Sequence, residues 1–139
     1  DNLVSDKLHI AANVCYEVAF SSYIKRQLHD HTDMLLTVSN DTWFGASHGP
    51  HQHFEIARMR AREFGRPMLR ATNNGITAAM DHQGYIIQQL PQFMSGVAAA
   101  YVPLVEGTTW YTRFGAVSAW LLALLLFSFS CLRRNQLKE

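Results

Sequence analysis

Two short apolar runs with a helical stripe between them constrain this chain more than any other feature. Residues 10–14 make a mostly apolar run of strand length. Residues 34–39, Met-Leu-Leu-Thr-Val-Ser, make a second, and its lack of alternation suits a sheet buried on both faces. Between them Tyr16, Ala19, Phe20, Tyr23, Ile24 and Leu28 recur at i, i+3, i+4, i+7, i+8 and i+12, the stripe of an amphipathic helix over residues 16–29. Strand, helix, strand in that order predicts a βαβ-like unit and an α/β fold. The loop Asn40-Asp41-Thr42-Trp43-Phe44-Gly45 then leaves the carboxyl end of the second strand, where α/β proteins tend to place ligands.

The first strand-to-helix junction carries a lone thiol, Cys15. Free backbone N–H groups and the helix dipole at such a junction favour a thiolate, which makes Cys15 a candidate nucleophile. Position alone leaves a buried structural cysteine equally open. The second cysteine, Cys131, lies in a hydrophobic run, so no disulfide is expected. With 48% hydrophobic and 17% charged residues over 139 positions, the chain can bury a core and does not have the composition of a disordered segment. A formal net charge of +1 gives no general attraction to nucleic acid.

Further along, Gly49-Pro50 predicts the start of a second helix with Pro50 in its first turn. Phe54, Ala57, Ala61 and Phe64 form its apolar face, and Gly65 before Pro67 ends it. Residues 68–72 read as a strand, and Asn73-Asn74-Gly75 as a turn. Residues 76–80 and 85–90 flank Asp81-His82-Gln83-Gly84 as a β-hairpin, and residues 97–102 as a last strand.

Residues 114–132 number nineteen and include no charge. At about 1.5 Å per residue they span roughly 28 Å, close to the roughly 30 Å hydrocarbon core of a bilayer. Ten of them are Leu, Phe or Val, which at about −0.3 to −0.6 kcal/mol each favour insertion by roughly 3–6 kcal/mol. Trp110 and Tyr111 stand where an interfacial aromatic belt would lie. Arg133, Arg134 and Lys138 follow the span against a single Arg113 before it, which orients the C-terminus toward the cytoplasm. The chain thus divides into an α/β part over residues 1–109 and a membrane helix with a short basic tail over residues 110–139.

These residues carry a family resemblance. Val14-Cys15-Tyr16-Glu17 and Ser39-Asn40-Asp41-Thr42-Trp43-Phe44-Gly45 resemble the nucleophile segment and following loop of the nitrilase, or carbon–nitrogen hydrolase, superfamily. Gly49-Pro50-His51-Gln52-His53, Ala57-Arg58-Met59-Arg60-Ala61, Gly65-Arg66-Pro67 and Thr72-Asn73-Asn74-Gly75-Ile76-Thr77 narrow it to the apolipoprotein N-acyltransferase family. The resemblance implies the C-terminal part of an α-β-β-α sandwich, periplasmic and carried on helices of the bacterial inner membrane. It implies a monomer with no cofactor, whose partners are a phospholipid acyl donor and an apolipoprotein acceptor. In the implied reaction the Cys15 thiolate takes an acyl group from the phospholipid. It then passes that group to the α-amine of the acceptor's diacylglyceryl-cysteine.

By the same resemblance, the Tyr16 backbone N–H stabilises the oxyanion, Glu17 supports the site, and Asn40, Trp43 and Phe44 line the substrate cleft; loop packing is the alternative for the last three. The family's glutamate and lysine precede its cysteine. Neither Asp6 nor Lys7 matches them, so they are expected upstream, and the chain alone is expected to be inactive. A nitrilase-like amidase on a membrane anchor and a non-enzymatic membrane scaffold are the competing readings. His51 and His53, at i and i+2, do not face each other on a helix, and no Cys or Glu completes a zinc pattern, so His48, His51 and His53 read as structural or capping residues, not as a metal site. Arg58, Arg60, Arg62, Arg66 and Arg70 read as a solvated or ion-paired face.

Overall fold

The computed structural model describes residues 2–136, and for 131, 132 and 134–136 the backbone alone; Lys138 of the basic tail lies outside the described residues. One six-stranded sheet organises the chain, with its strands in sequence order from edge to edge. Strands β1 (Leu3–Ser5) and β2 (Leu8–Val14) form an antiparallel hairpin, turned at Asp6 with φ 54°. A 3-10 turn (Cys15–Ala19) and helix α1 (Ser21–Gln27) lead to β3 (Met34–Asn40), parallel to β2. Helix α2 (Gly49–Phe64) leads to β4 (Met68–Asn73), parallel to β3. β5 (Thr77–Met80) and β6 (Ile86–Leu90) complete the sheet in antiparallel fashion. This is a mixed α/β sheet whose parallel centre is built from two crossovers.

Both crossover helices cover one face. Val18 and Ile24 from the first crossover join Phe54, Ala57, Ala61 and Phe64 of α2 in one core cluster with Ala11, Leu35, Met68 and Met80 of the sheet. Those four sheet residues are register partners in a single row, so the core is one apolar layer across four strands. Each large side chain fully buried there contributes about 1.5–3 kcal/mol relative to exposure. The next row toward the carboxyl ends of the parallel strands is polar: Asn13, Thr37 and Arg70, all buried. The change from apolar to polar along one face marks where the sheet stops being scaffold.

Several expectations are corrected. The helix over residues 16–29 is two pieces broken at Phe20 (φ −97°, ψ 91°). Val18 and Ile24 are both fully buried yet six residues apart, about 240° around a continuous helix, so only a break turns both inward. The stripe read from Tyr16 and Phe20 does not form the core face, since both rings are more than half exposed. Within the described residues β3 alternates, with Leu35 and Thr37 beneath the helices while Val38, on the face that no described element covers, is 42% exposed. No strand forms over residues 97–102, where Val97 is 92% and Tyr101 100% exposed with no neighbouring strand to pair among the described residues.

The apolar C-terminal stretch is also divided. Helix α3 (Trp110–Phe114) ends at Gly115, whose φ of 58° and ψ of −137° suit only glycine, and α4 (Val117–Gln136) follows. Tyr111 of α3 packs edge-on against Phe64 and shares a 2.8 Å hydroxyl hydrogen bond with Ser21, which docks α3 on the α/β layer. Among the described residues no helix is long and apolar enough to cross a membrane. The described part of α4 is nevertheless apolar around its whole circumference, and its side chains from Trp120 to Phe129 are exposed.

Candidate active site

β2 ends at Val14, paired with Val38 of β3, and the next residue is Cys15. Its φ of 52° is left-handed, a conformation that costs a non-glycine residue about 1–2 kcal/mol. That strain turns the chain sharply from strand into the 3-10 turn and leaves Cys15 half-buried at the sheet's carboxyl edge. The Glu17 carboxylate accepts from the Val14 N–H at 2.7 Å and so caps the turn from below. The first N–H groups of such a turn, Tyr16 among them, have no partner within it.

A buried ionic cluster lies directly beneath. Asp41, fully buried, accepts from Arg70 Nη2 at 2.6 Å and from Ser39 Oγ at 2.6 Å. The His53 Nδ1 lies 3.0 Å from Asp41 Oδ1, and its Nε2 lies 3.2 Å from the carbonyl oxygen of Cys15. Three elements meet here: the loop after β3 supplies Asp41, the first turns of α2 supply His53, and β4 supplies Arg70. Burial lowers the Arg70 pKa from its ordinary value, while the neighbouring Asp41 carboxylate and, more weakly, Cys15 act to raise it. Two rings flank the His53 imidazole: Tyr16 at 5.8 Å and Phe44 at 6.1 Å between centroids. A Cβ at Gly75 would collide with the Asp41 carboxylate, so the turn after β4 needs glycine for close approach.

The structure brings Cys15, Tyr16, Glu17 and Phe44 around this cluster. Trp43 stands apart, 79% exposed on a 3-10 turn (Thr42–Phe44), and Asn40 is used locally, its Oδ1 accepting from the Thr42 N–H at 3.1 Å. Among the described residues no group of three or more His, Cys, Asp and Glu side chains is arranged to hold a metal.

The residue reading missed Asp41, His53 and Arg70 as a unit. A signal was present: His53, Ala57, Ala61 and Phe64 lie on one stripe of α2, so His53 sits on a face that must be buried. Arg70 likewise shares a strand face with Met68. The arginine-rich stretch is ion-paired as expected at Arg58, with Glu55, and at Arg60, with Glu63, both at 2.8 Å, and Arg62 is exposed, but three of its arginines are not solvated. Arg60, Arg66 and Arg70 are all under 10% exposed, with Arg60 paired to Glu63 and Arg66 donating to the Thr32 carbonyl at 2.6 Å.

The carbon-nitrogen hydrolase model matches residues 3–112, which takes in the whole sheet, both crossovers and Cys15. The chain belongs to the carbon-nitrogen hydrolase family. Within that family it is 50% identical over 129 residues to the apolipoprotein N-acyltransferase of Shewanella oneidensis, an alignment covering 91% of this chain and 25% of that protein. It is 44% identical over 135 residues to the apolipoprotein N-acyltransferase of Vibrio cholerae, covering 97% of this chain and 27% of that protein. The chain therefore spans about a quarter of the length of these relatives. Among solved structures, the NitN amidase from Nesterenkonia sp. AN1 superposes with a TM-score of 0.55 at 16% identity, over 74% of this chain and 42% of that one. That likeness is one of fold: the sheet and crossovers described here are those of a nitrilase-like protein.

Proposed function

We propose that this chain is the nucleophile-bearing portion of a phospholipid-to-apolipoprotein N-acyltransferase. The observation that carries the reading is 50% identity over 91% of the chain to a protein of that name, combined with a strained cysteine at the carboxyl edge of the sheet. In the proposed reaction the Cys15 thiolate attacks the ester carbonyl of a phospholipid acyl chain. The carbonyl electrons move onto oxygen, and the Tyr16 N–H donates to that oxyanion. The intermediate collapses by breaking the ester C–O bond, a proton goes to the leaving alkoxide, and a lysophospholipid departs from a thioacyl-cysteine. The α-amine of the acceptor's diacylglyceryl-cysteine attacks the thioester, loses a proton, and leaves as an amide while the thiolate is restored. A thiol suits both halves, being a good nucleophile and a good leaving group toward an amine.

Glu17 supports the turn through its bond to the Val14 N–H, and Asn40, Trp43 and Phe44 form the lipid-facing side of the cleft. The glutamate and lysine that complete the family's catalytic set belong to another part of the intact protein. Residues 1–109 form the C-terminal part of its catalytic domain, on the periplasmic side. Residues 110–139 hold α3, a membrane helix that the break at Gly115 starts at Val117 instead of 114, and a cytoplasmic basic tail. The apolar, exposed circumference of α4 supports the membrane placement, because such a helix needs an apolar medium on every side.

The test is chemical trapping. In the intact protein incubated with a phospholipid whose acyl chain is labelled, label on Cys15 is released by neutral hydroxylamine, and Cys15→Ala carries none and transfers none. Full transfer by Cys15→Ala sinks the reading. Release of ammonia from small amides without acyl transfer replaces it with an amidase.

A further inference from the structure

The acyl-transfer reading assigns no work to His53, although the histidine is 1% exposed and touches the backbone of the nucleophile. We infer that His53 is a positioning residue for the oxyanion donor. Its Nε2–H holds the Cys15 carbonyl and thereby aims the N–H of the same peptide group, that of Tyr16. The inference rests on the reading of Cys15 as the acyl-carrying nucleophile.

The argument begins with the peptide plane. The carbonyl of Cys15 and the N–H of Tyr16 belong to one rigid, planar unit and point in opposite directions. Whatever fixes the carbonyl fixes the donor. A carbonyl oxygen only accepts, so the ring nitrogen 3.2 Å from it carries the hydrogen. A donor on the carbonyl also polarises the amide and strengthens its N–H as a donor in turn.

The imidazole is itself held on every side. With the hydrogen on Nε2, Nδ1 accepts from Arg70 Nη2 at 3.2 Å, and that arginine is fixed by Asp41 at 2.6 Å, whose carboxylate lies 3.0 Å from Nδ1 and also accepts from Ser39 at 2.6 Å. The Tyr16 and Phe44 rings flank it.

This support is needed because Cys15 is strained. A non-glycine residue at φ 52° persists only where its surroundings over-determine it. Three restraints act on this turn: the pairing of Val14 with Val38, the Glu17 carboxylate on the Val14 N–H, and His53 on the Cys15 carbonyl. The first two act before the strained residue. Of the three, His53 acts after it, on the peptide that carries the oxyanion donor. The Asp41–His53–Arg70 cluster thus works on the reaction through backbone geometry, meeting Cys15 at its carbonyl oxygen.

The experiment uses the intact protein in detergent–phospholipid micelles, with His53→Leu, His53→Gln and Cys15→Ala. Two properties are read: kcat and KM for acyl transfer, and the rate of Cys15 alkylation by iodoacetamide, a displacement that forms no oxyanion. Loss of an oxyanion donor costs about 100- to 1,000-fold in rate. A misaimed donor in His53→Leu is therefore expected to lower kcat at least about tenfold, with KM and alkylation within about threefold of wild type. His53→Gln, whose side-chain N–H reaches for the same carbonyl, is expected to recover most of kcat. Equal losses in the two variants, a parallel loss of alkylation, or an unchanged kcat in His53→Leu each overturn the inference. Cys15→Ala separates the two claims. If it retains activity the nucleophile reading fails, whereas a dead Cys15→Ala beside a fully active His53→Leu refutes only the positioning role.

Discussion

The two longest helices, α2 with sixteen residues and α4 with twenty, use apolar side chains in opposite ways. α2 gathers Phe54, Ala57, Ala61 and Phe64 on one stripe, and all four are buried against the sheet. α4 spreads Leu121, Leu122, Leu124, Leu125, Leu126, Phe127 and Phe129 around its circumference, and all are at least 57% exposed. A stripe has one neighbour to find, so it docks; a full circumference has no polar side to show to water and requires an apolar surrounding. α2 can therefore carry a polar residue at a specific point of its buried stripe, where His53 meets Asp41 and the Cys15 carbonyl. Among the described residues α4 makes no comparable contact.

The contrast can be broken most severely at Phe64. Phe64→Ala removes a 1% exposed ring that also packs on Tyr111, and is expected to cost about 3–5 kcal/mol of domain stability, read by chemical denaturation of the intact protein. A loss under about 1 kcal/mol would mean that the α2 stripe is not the core.

Leu125→Arg in α4 sharpens the other half. It shifts insertion by about 3–4 kcal/mol and leaves the denaturation midpoint of the α/β domain unchanged. A reporter fused beyond the C-terminus then appears less often on the cytoplasmic side. A fall in domain stability instead would show that α4 packs on the sheet.

The smallest effect concerns Glu63 at the end of α2, where the helix meets α1 and α3. Burial raises its pKa above 4.5, against the attraction of Arg60 and a hydrogen bond from Ser21. A raised carboxyl favours the folded state most when protonated, so its contribution is present below about pH 4.5 and is lost as pH climbs through the folded value. Stability relative to Glu63→Gln should therefore decline with rising pH across that window. A difference that grows with pH would mean that the Arg60 pair outweighs burial.

Much of the fold was legible locally. Pro50 and Gly65 bound α2 because a fixed φ suits a first turn and an αL residue ends a helix, and Gly65 has φ 61°. The hairpin around residues 81–84 followed from its turn residues. The break at Phe20 was not legible, because the spacing of Tyr16, Phe20 and Ile24 fits an unbroken helix; burial of Val18 overrides it. The nucleophile was visible at its strand-to-helix junction. Its support was not, since Asp41 and Arg70 lie 29 residues apart and look like a loop acid and a surface base.

The sequence by itself determined the strand–helix–strand–helix–strand order from β2 to β4, the bounds of α2, the apolar C-terminal stretch and the candidacy of Cys15. Each depends on propensities and periodicities among neighbours along the chain. Tertiary structure alone decided that both crossover helices cover the same face of the sheet, and that Asp41, His53 and Arg70 meet under the nucleophile. Buried charges are tolerable only beside their partners, and those partners are chosen by strand register and helix docking, which no local window of sequence contains.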